Sequence, residues 1–111
     1  MPGMNDLAQQ HCVPCRRGVP PLAEREALEL LAKLSGGWSL AGGRLEKEYR
    51  FPSFRDNIAF LNRVATLAEM EGHHPEMQVG FRTLRLSIWT HKIGGLTQSD
   101  FILAAKADAV L

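Results

Sequence analysis

Apolar side chains recur at helical spacing in three segments of the chain. One predicted helix covers residues 22–34, and a second covers 54–71 and ends at Gly72. Their apolar faces are predicted at Leu28, Leu31 and Leu34 in the first helix and at Phe54, Ile58, Leu61, Ala65 and Ala68 in the second, which Val64 and Leu67 widen. A third helix is predicted to begin at Thr97, because Thr97 and Asp100 have the spacing of a capping box.

Between these helices the apolar positions recur at every second residue. Two short strands are predicted at 38–40 and 45–51, joined by a glycine-containing turn. A hairpin is predicted over 77–90, with its turn near Arg82 and a more regular pattern in its second strand. The order helix, two strands, helix, two strands, helix predicts an α+β fold: a four-stranded antiparallel sheet with three helices packed on one face.

Three histidines fall at the open end of the 77–90 hairpin. The turn near Arg82 pairs Val79 with Arg85 and Met77 with Ser87. Extended outward, this register sets His73 opposite His91, although Pro75 distorts the pairing and only proximity is expected. His91 also shares the parity of Trp89, away from the core side of its strand, while His73 and His74 lie on a connection. We therefore predict that all three histidines border one accessible pocket.

Clustered imidazoles suit two kinds of chemistry. With an unperturbed pKa near 6.5, an imidazole can both donate and accept protons at neutral pH. Three histidines could instead bind zinc, but the adjacent His73 and His74 fit this poorly because neighbouring side chains usually diverge. The spacing alone leaves both interpretations open.

The composition is that of one ordinary globular domain. Of the 111 residues, 45% are apolar and 23% are charged. The 13 basic and 12 acidic side chains give a net charge of +1, which excludes a dedicated nucleic-acid binder. The longest apolar run, 101–105, is too short for a membrane span, and the first ten residues lack a secretory signal pattern. We therefore expect a cytoplasmic protein that binds neither nucleic acid nor membrane.

The N-terminal residues contain a CxxC motif without an obvious structural context. Cys12 and Cys15 are followed by turn-forming glycine and proline residues, which is unlike a thioredoxin-type motif. We interpret residues 1–19 as an arm that carries a reduced thiol pair and adds few apolar side chains to the core, and 20–111 as the domain. The alternative is a zinc site that includes His11.

One set of residues resembles a known family. The segment Glu69-Met70-Glu71-Gly72-His73-His74-Pro75, then Phe81, Thr90-His91, Gly95-Leu96-Thr97 and Asp100, has the order and spacing found in the pterin-4a-carbinolamine dehydratase family. The resemblance covers most of residues 20–108, and bacterial members often carry a similar cysteine-containing arm. Departures from the commoner family residues occur at Gly72, Met77, Phe81 and Arg82.

The resemblance implies an activity and a set of site residues. The family activity is dehydration of 4a-hydroxytetrahydropterin to quinonoid dihydropterin, which recycles the pterin of aromatic amino acid hydroxylases. It implies that His73 and His91 are the acid/base pair and that His74 mainly holds the pterin, with no metal or organic cofactor. Further candidates for the substrate site are Glu69, Pro75, Trp89, Thr90 and Asp100.

Some of these candidates also have structural interpretations. Asp100 fits the role of a helix cap better than direct catalysis, and Trp89 could either line the pocket or pack at a subunit contact. Glu69, by contrast, lies in the last turn of a helix, where the dipole disfavours an acid, and this local penalty points to a role at the site.

The resemblance also implies partners and an alternative function. Family members form homodimers or homotetramers, and an aromatic amino acid hydroxylase is a candidate partner. The alternative function is that of a non-catalytic regulatory or protein-binding member of the same fold.

Overall fold

The computed structural model describes residues 6–13 and 18–111. The elements follow one another as α1 (Asp6–Gln9), α2 (Glu24–Leu31), β1 (Ser39–Ala41), β2 (Arg44–Arg50), α3 (Phe54–Glu71), β3 (Glu76–Val79), β4 (Thr83–Ile88) and α4 (Gln98–Ala109). The four strands form one antiparallel sheet in the order β1-β2-β4-β3. The predicted α+β class and four-stranded antiparallel sheet are confirmed, and the short α1 is an additional helix. No helix in the described part of the chain is long and apolar enough to cross a membrane.

The β3–β4 hairpin has a register one residue away from the predicted one. Met77 pairs with Leu86 and Val79 with Leu84, rather than with Ser87 and Arg85. The Gly80 amide donates to the Thr83 carbonyl at 2.8 Å, so the connection is a two-residue loop rather than a turn centred on Arg82. A turn centred on one residue pairs each β3 residue with a β4 residue one position later than a two-residue loop does. The choice of loop therefore shifts the whole register of the hairpin by one residue.

Helix α3 packs on the sheet with part of its predicted face. Val64 and Ala68 of that face are buried, and so is Phe60, whereas Phe54 is 49% exposed. Phe54 instead stacks against Phe81 of the hairpin loop, with ring centroids 6.4 Å apart. Asn57 is buried as well, because its amide donates to the Gly80 and Thr83 carbonyls of the hairpin.

A partly buried carboxylate in α4 ties this helix to β2 and to the segment before β1. Asp108 accepts hydrogen bonds from Ser35, Trp38, Lys47 and Tyr49 at 2.5–2.8 Å. Burial alone would raise the pKa of Asp108, but these donors, Lys47 first, hold it below its ordinary value. Burial, and then the same carboxylate, raises the pKa of Tyr49. The network fixes α4 against the sheet, which in turn positions the residues at the start of α4.

The N-terminal arm packs against α4, contrary to the expectation that it adds little to the core. Leu7 of α1 is 3% exposed and belongs to the hydrophobic core. The Lys106 ammonium of α4 donates to the Ala8 carbonyl at 3.0 Å. Residues 14–17 lie outside the described part of the chain, and the division between arm and domain at residue 19 stays a prediction.

Candidate active site

A cavity of about 470 Å³ opens where the end of α3, the end of β4 and the N-terminal arm meet. It is lined by Cys12, Val13, Glu71, Gly72, His73, His74, Trp89, Thr90, His91 and Lys92. The three histidines that the sequence predicts at one pocket therefore do line the same cavity. Its volume lies within the range of small-molecule sites.

His73 is held by a buried carboxylate. Gly72 ends α3 in the left-handed conformation (φ 65°), which starts the connection that carries His73. His73 Nε2 lies 2.6 Å from Asp100 Oδ1, and the two side chains are only 12% and 0% exposed. Asp100 Oδ2 accepts from Thr90 Oγ1 at 2.9 Å and from the Thr97 amide at 2.8 Å. Asp100 is thus both the helix cap that its spacing predicts and the anchor of His73.

His74 has a carboxylate partner of a different kind. Its Nε2 lies 2.6 Å from Glu69 Oε2, but the side chains are 58% and 77% exposed. Glu69 belongs to the last turn of α3, so the pair lies at the surface beside the cavity rather than behind it.

His91 is supported by an aromatic ring. The Trp89 and His91 rings stack at a centroid distance of 4.3 Å and an interplanar angle of 13°. The Arg44 guanidinium carbon lies 3.9 Å from the Trp89 centroid, and Arg44 is the cross-strand neighbour of Trp89 in the register that pairs Leu45 with Ile88. The Trp89 indole therefore contacts both the His91 imidazole and the Arg44 guanidinium.

The arm enters the site at Glu71. The Glu71 side chain is 6% exposed, and its two oxygens accept from the Cys12 amide at 2.8 Å and from His11 Nδ1 at 3.1 Å. Lys106 Nζ lies 3.6 Å from Glu71 Oε2. Burial alone would raise the pKa of Glu71, but the Cys12 amide, His11 and Lys106 together lower it below its ordinary value. Glu71 is therefore a buried negative charge with three compensating partners.

Cys12 is a protonated thiol in this environment. Burial, and then the neighbouring Glu71 carboxylate, raises the pKa of Cys12 to about 12. Within 6–13 and 18–111, no three His, Cys, Asp or Glu side chains are grouped to hold a metal ion. Cys15 lies outside the described residues, so the zinc interpretation of this motif stays untested.

The sequence-predicted site residues fall into three groups. The cavity lining includes His73, His74, Trp89, Thr90 and His91. Glu69 and Asp100 contact the histidines without belonging to that lining, and Pro75 is not among the lining residues either.

Sequence reasoning missed Glu71 and the parts of the arm at the cavity. The helix dipole disfavours an acid in the last turn of α3 at Glu71 as much as at Glu69. Glu71 therefore carries the same signal in the sequence as Glu69. Arg44, Val13 and Lys92 carry no comparable signal.

The fold and the cavity together define an α+β protein with a pocket built around three histidines. The family model described as "Pterin 4 alpha carbinolamine dehydratase" matches residues 20–110, and the chain belongs to this family. A relative from Rickettsia bellii (strain OSU 85-389) that carries the family name is 48% identical over 103 residues, 92% of this chain and 91% of its own. One from Nitrosomonas eutropha is 45% identical over 111 residues, 100% of this chain and 98% of its own.

Two solved structures share the fold. A "transcriptional coactivator/pterin dehydratase" from Brucella melitensis has a TM-score of 0.77 and 28% identity, and the match covers 81% of this chain and 97% of the other. A "pterin dehydratase-like protein" described as a RuBisCO assembly factor has a TM-score of 0.56 and 24% identity, covering 66% and 84%. The second likeness concerns the fold alone.

Proposed function

We propose that this protein dehydrates a 4a-hydroxytetrahydropterin to the quinonoid dihydropterin, with His73 and His91 as the acid/base pair. The observation that carries the proposal is that both imidazoles line one cavity, with His73 anchored on the buried Asp100 at 2.6 Å. Membership of the pterin-4a-carbinolamine dehydratase family supports the choice of substrate.

The reaction needs two proton transfers and no change of oxidation state. The C4a–O bond breaks, and the departing hydroxide takes a proton from an imidazolium to leave as water. The N5 proton passes to a neutral imidazole, and the electron pair of the N5–H bond forms the C4a=N5 double bond. Positioned proton transfer of this kind contributes about 10² to 10⁴-fold in rate. Because the protons balance, we propose neither a metal nor a cofactor.

The surroundings of each histidine suit these roles. Asp100 accepts from His73 Nε2–H, which leaves Nδ1 of that ring for proton exchange with the substrate. The Asp100 carboxylate also fixes the orientation of the His73 ring. His91 carries out the complementary transfer, and its stacking on Trp89 restricts the plane of the ring. His74, with Glu69 beside it, holds the pterin at the exposed side of the cavity.

The wider setting follows from the family and from the sheet edges. Strands β1 and β3 form the two edges of the sheet and leave backbone groups open to pairing. We expect a cytoplasmic homodimer or homotetramer that recycles pterin for an aromatic amino acid hydroxylase. Light scattering at micromolar concentration tests the assembly, and a strictly monomeric mass would contradict it.

The second candidate is a non-catalytic regulatory or protein-binding role. The Brucella melitensis structure is described as a transcriptional coactivator as well as a pterin dehydratase, so the family name does not separate the two roles. Turnover of carbinolamine by the purified protein discriminates between them.

Substitution of each histidine tests the mechanism. His73→Ala and His91→Ala should each lower kcat at least about tenfold, whereas His74→Ala should mainly raise KM. The measurement is carbinolamine loss by absorbance, corrected for the uncatalysed rate, with circular dichroism to verify the fold. Turnover like that of the wild type in both the His73 and His91 variants would contradict the acid/base assignment.

A further inference from the structure

Residues 11–13 of the N-terminal arm run along the edge of the cavity. The Val13 amide donates to Ser99 Oγ at 3.1 Å, and Cys12 Sγ donates to the Ser99 carbonyl at 3.4 Å. Ser99 lies in the first turn of α4, next to Asp100, the anchor of His73. The arm is therefore attached to the same turn that orients the proposed catalytic histidine.

Glu71 is the second attachment point of this segment. It lies just before Gly72 and His73, and its carboxylate binds the Cys12 amide, His11 and the Lys106 ammonium together. A carboxylate on a side chain only 6% exposed is costly to desolvate unless donors compensate it, and two of its three partners belong to the arm. Detachment of residues 11–13 would leave Glu71 with Lys106 alone, so the contact favours the docked arm.

Cys12 and Val13 belong to the wall of the histidine cavity. The uncharged thiol of Cys12 and the isopropyl group of Val13 add apolar surface to a site whose other members are largely polar. A flat heterocycle that enters the cavity gains van der Waals contact from such a wall without any new hydrogen bond.

We propose that Glu71 is a positioning residue that holds residues 11–13 as a wall of the pterin site, so that Cys12 and Val13 determine how tightly the pocket binds its substrate. This inference rests on the proposed dehydratase function for the identity of the substrate. It predicts that release of the arm raises KM and the Kd for product, while the proton-transfer step at His73 and His91 is much less affected.

The test uses Glu71→Ala in the full chain and measures arm docking separately from catalysis. Docking is followed by exchange of the Val13 amide in NMR spectra, because the acceptor of this amide is Ser99 rather than Glu71. Exchange should become at least about tenfold faster. KM for the carbinolamine and the Kd of dihydropterin, measured by calorimetry, should rise about fivefold, with a smaller change in kcat.

Two further variants serve as the rescue and the control. Glu71→Gln keeps an oxygen that can accept from the Cys12 amide, so it should restore much of the Val13 protection and of the pterin affinity. Glu29→Ala removes an exposed helical glutamate that, within the described residues, pairs only with Arg25 across the helix surface at 3.8 Å. It should leave KM, Kd and Val13 exchange as in the wild type.

Val13→Arg provides an independent check if Glu71→Ala does not fold. Val13 is 66% exposed, so the larger side chain need not disturb the core, yet it obstructs the cavity wall. It should raise KM about fivefold or more.

The outcomes separate this inference from the proposed function. Three outcomes for Glu71→Ala would each overturn the wall proposal. They are faster Val13 exchange with KM and Kd unchanged, a rise in KM or Kd without faster Val13 exchange, and no change in either the exchange or the two constants. Pterin binding without turnover in the wild type would contradict the dehydratase function and leave the Kd shift as the test of the wall. A wild-type protein that binds no pterin would overturn both.

Discussion

Two consecutive histidines each contact a carboxylate at the same distance, yet in opposite surroundings. His73 Nε2 lies 2.6 Å from Asp100 and His74 Nε2 lies 2.6 Å from Glu69. The first pair is 12% and 0% exposed, whereas the second is 58% and 77% exposed. The contrast between the buried and the exposed pair separates the effect of distance from the effect of environment.

A short contact fixes a side chain only where its partner is itself fixed. Asp100 accepts from Thr90 and from the Thr97 amide as well as from His73, so its carboxylate has little freedom to rotate. Glu69 lies in solvent, which screens its charge and competes for its oxygens. We therefore expect the buried pair to govern the rate of the proposed reaction and the exposed pair to modulate binding.

The largest expected effect is that of Asp100→Asn. The substitution keeps the volume but turns one oxygen into an NH2 group, and with Thr97 and Thr90 still donating to the remaining oxygen, that group faces His73. His73 must then accept through Nε2 and carry its proton on Nδ1, the wrong tautomer for proton exchange there. We expect kcat to fall about 100-fold and the free energy of unfolding to fall by about 1–3 kcal/mol.

The pH dependence of kcat and urea unfolding provide the two readouts for Asp100→Asn. A purely structural role would reduce stability while leaving the rate per folded molecule intact. If kcat of the folded variant stays within about twofold of the wild type, a change below 1 kcal/mol in the barrier, Asp100 does not act through His73.

A smaller effect is expected at Trp89, which extends the comparison to the third histidine. Within the described chain, His91 has no carboxylate partner, and the stacked Trp89 ring at 4.3 Å takes that place. An aromatic pair of this kind is worth about 1 kcal/mol, so Trp89→Ala should lower kcat about fivefold.

Trp89→Phe is the matched variant, since it keeps a ring for His91 to stack on and should recover most of kcat. The carbinolamine assay measures kcat for both variants. Equal loss in Trp89→Ala and Trp89→Phe would mean that stacking does not position His91.

Much of the fold could be predicted because local patterns determine it. The period-two run in β4 and the helical stripes identify the elements, and Gly72 and the Thr97–Asp100 spacing identify helix ends. The predicted hairpin register is wrong, because the length of the loop rather than apolar alternation sets it, and this loop has two residues instead of a turn centred on Arg82.

The site was predictable as far as its histidines, and less so beyond them. His73, His74 and His91 lie close to one hairpin, so strand geometry brings them together. The contact between Cys12 and Glu71 joins residues 59 positions apart, and no local pattern reports it. The arm has few apolar residues and so predicts little contribution to the core, but Leu7 is buried in it.

The smallest expected effect is that of Glu69→Gln, the counterpart of Asp100→Asn at the exposed pair. The amide can still hydrogen-bond His74 and removes only a charge that water already screens. We expect kcat/KM to fall about threefold and the free energy of unfolding to change by less than about 0.5 kcal/mol. Because salt screens exposed charges, the loss of kcat/KM in Glu69→Gln relative to the wild type should shrink as salt rises from about 0.05 M to about 1 M. The corresponding loss in Asp100→Asn should persist. Steady-state kinetics of both variants across this range decides the matter: a loss at Glu69 as large and as salt-independent as that at Asp100 would mean that exposure does not distinguish the two pairs.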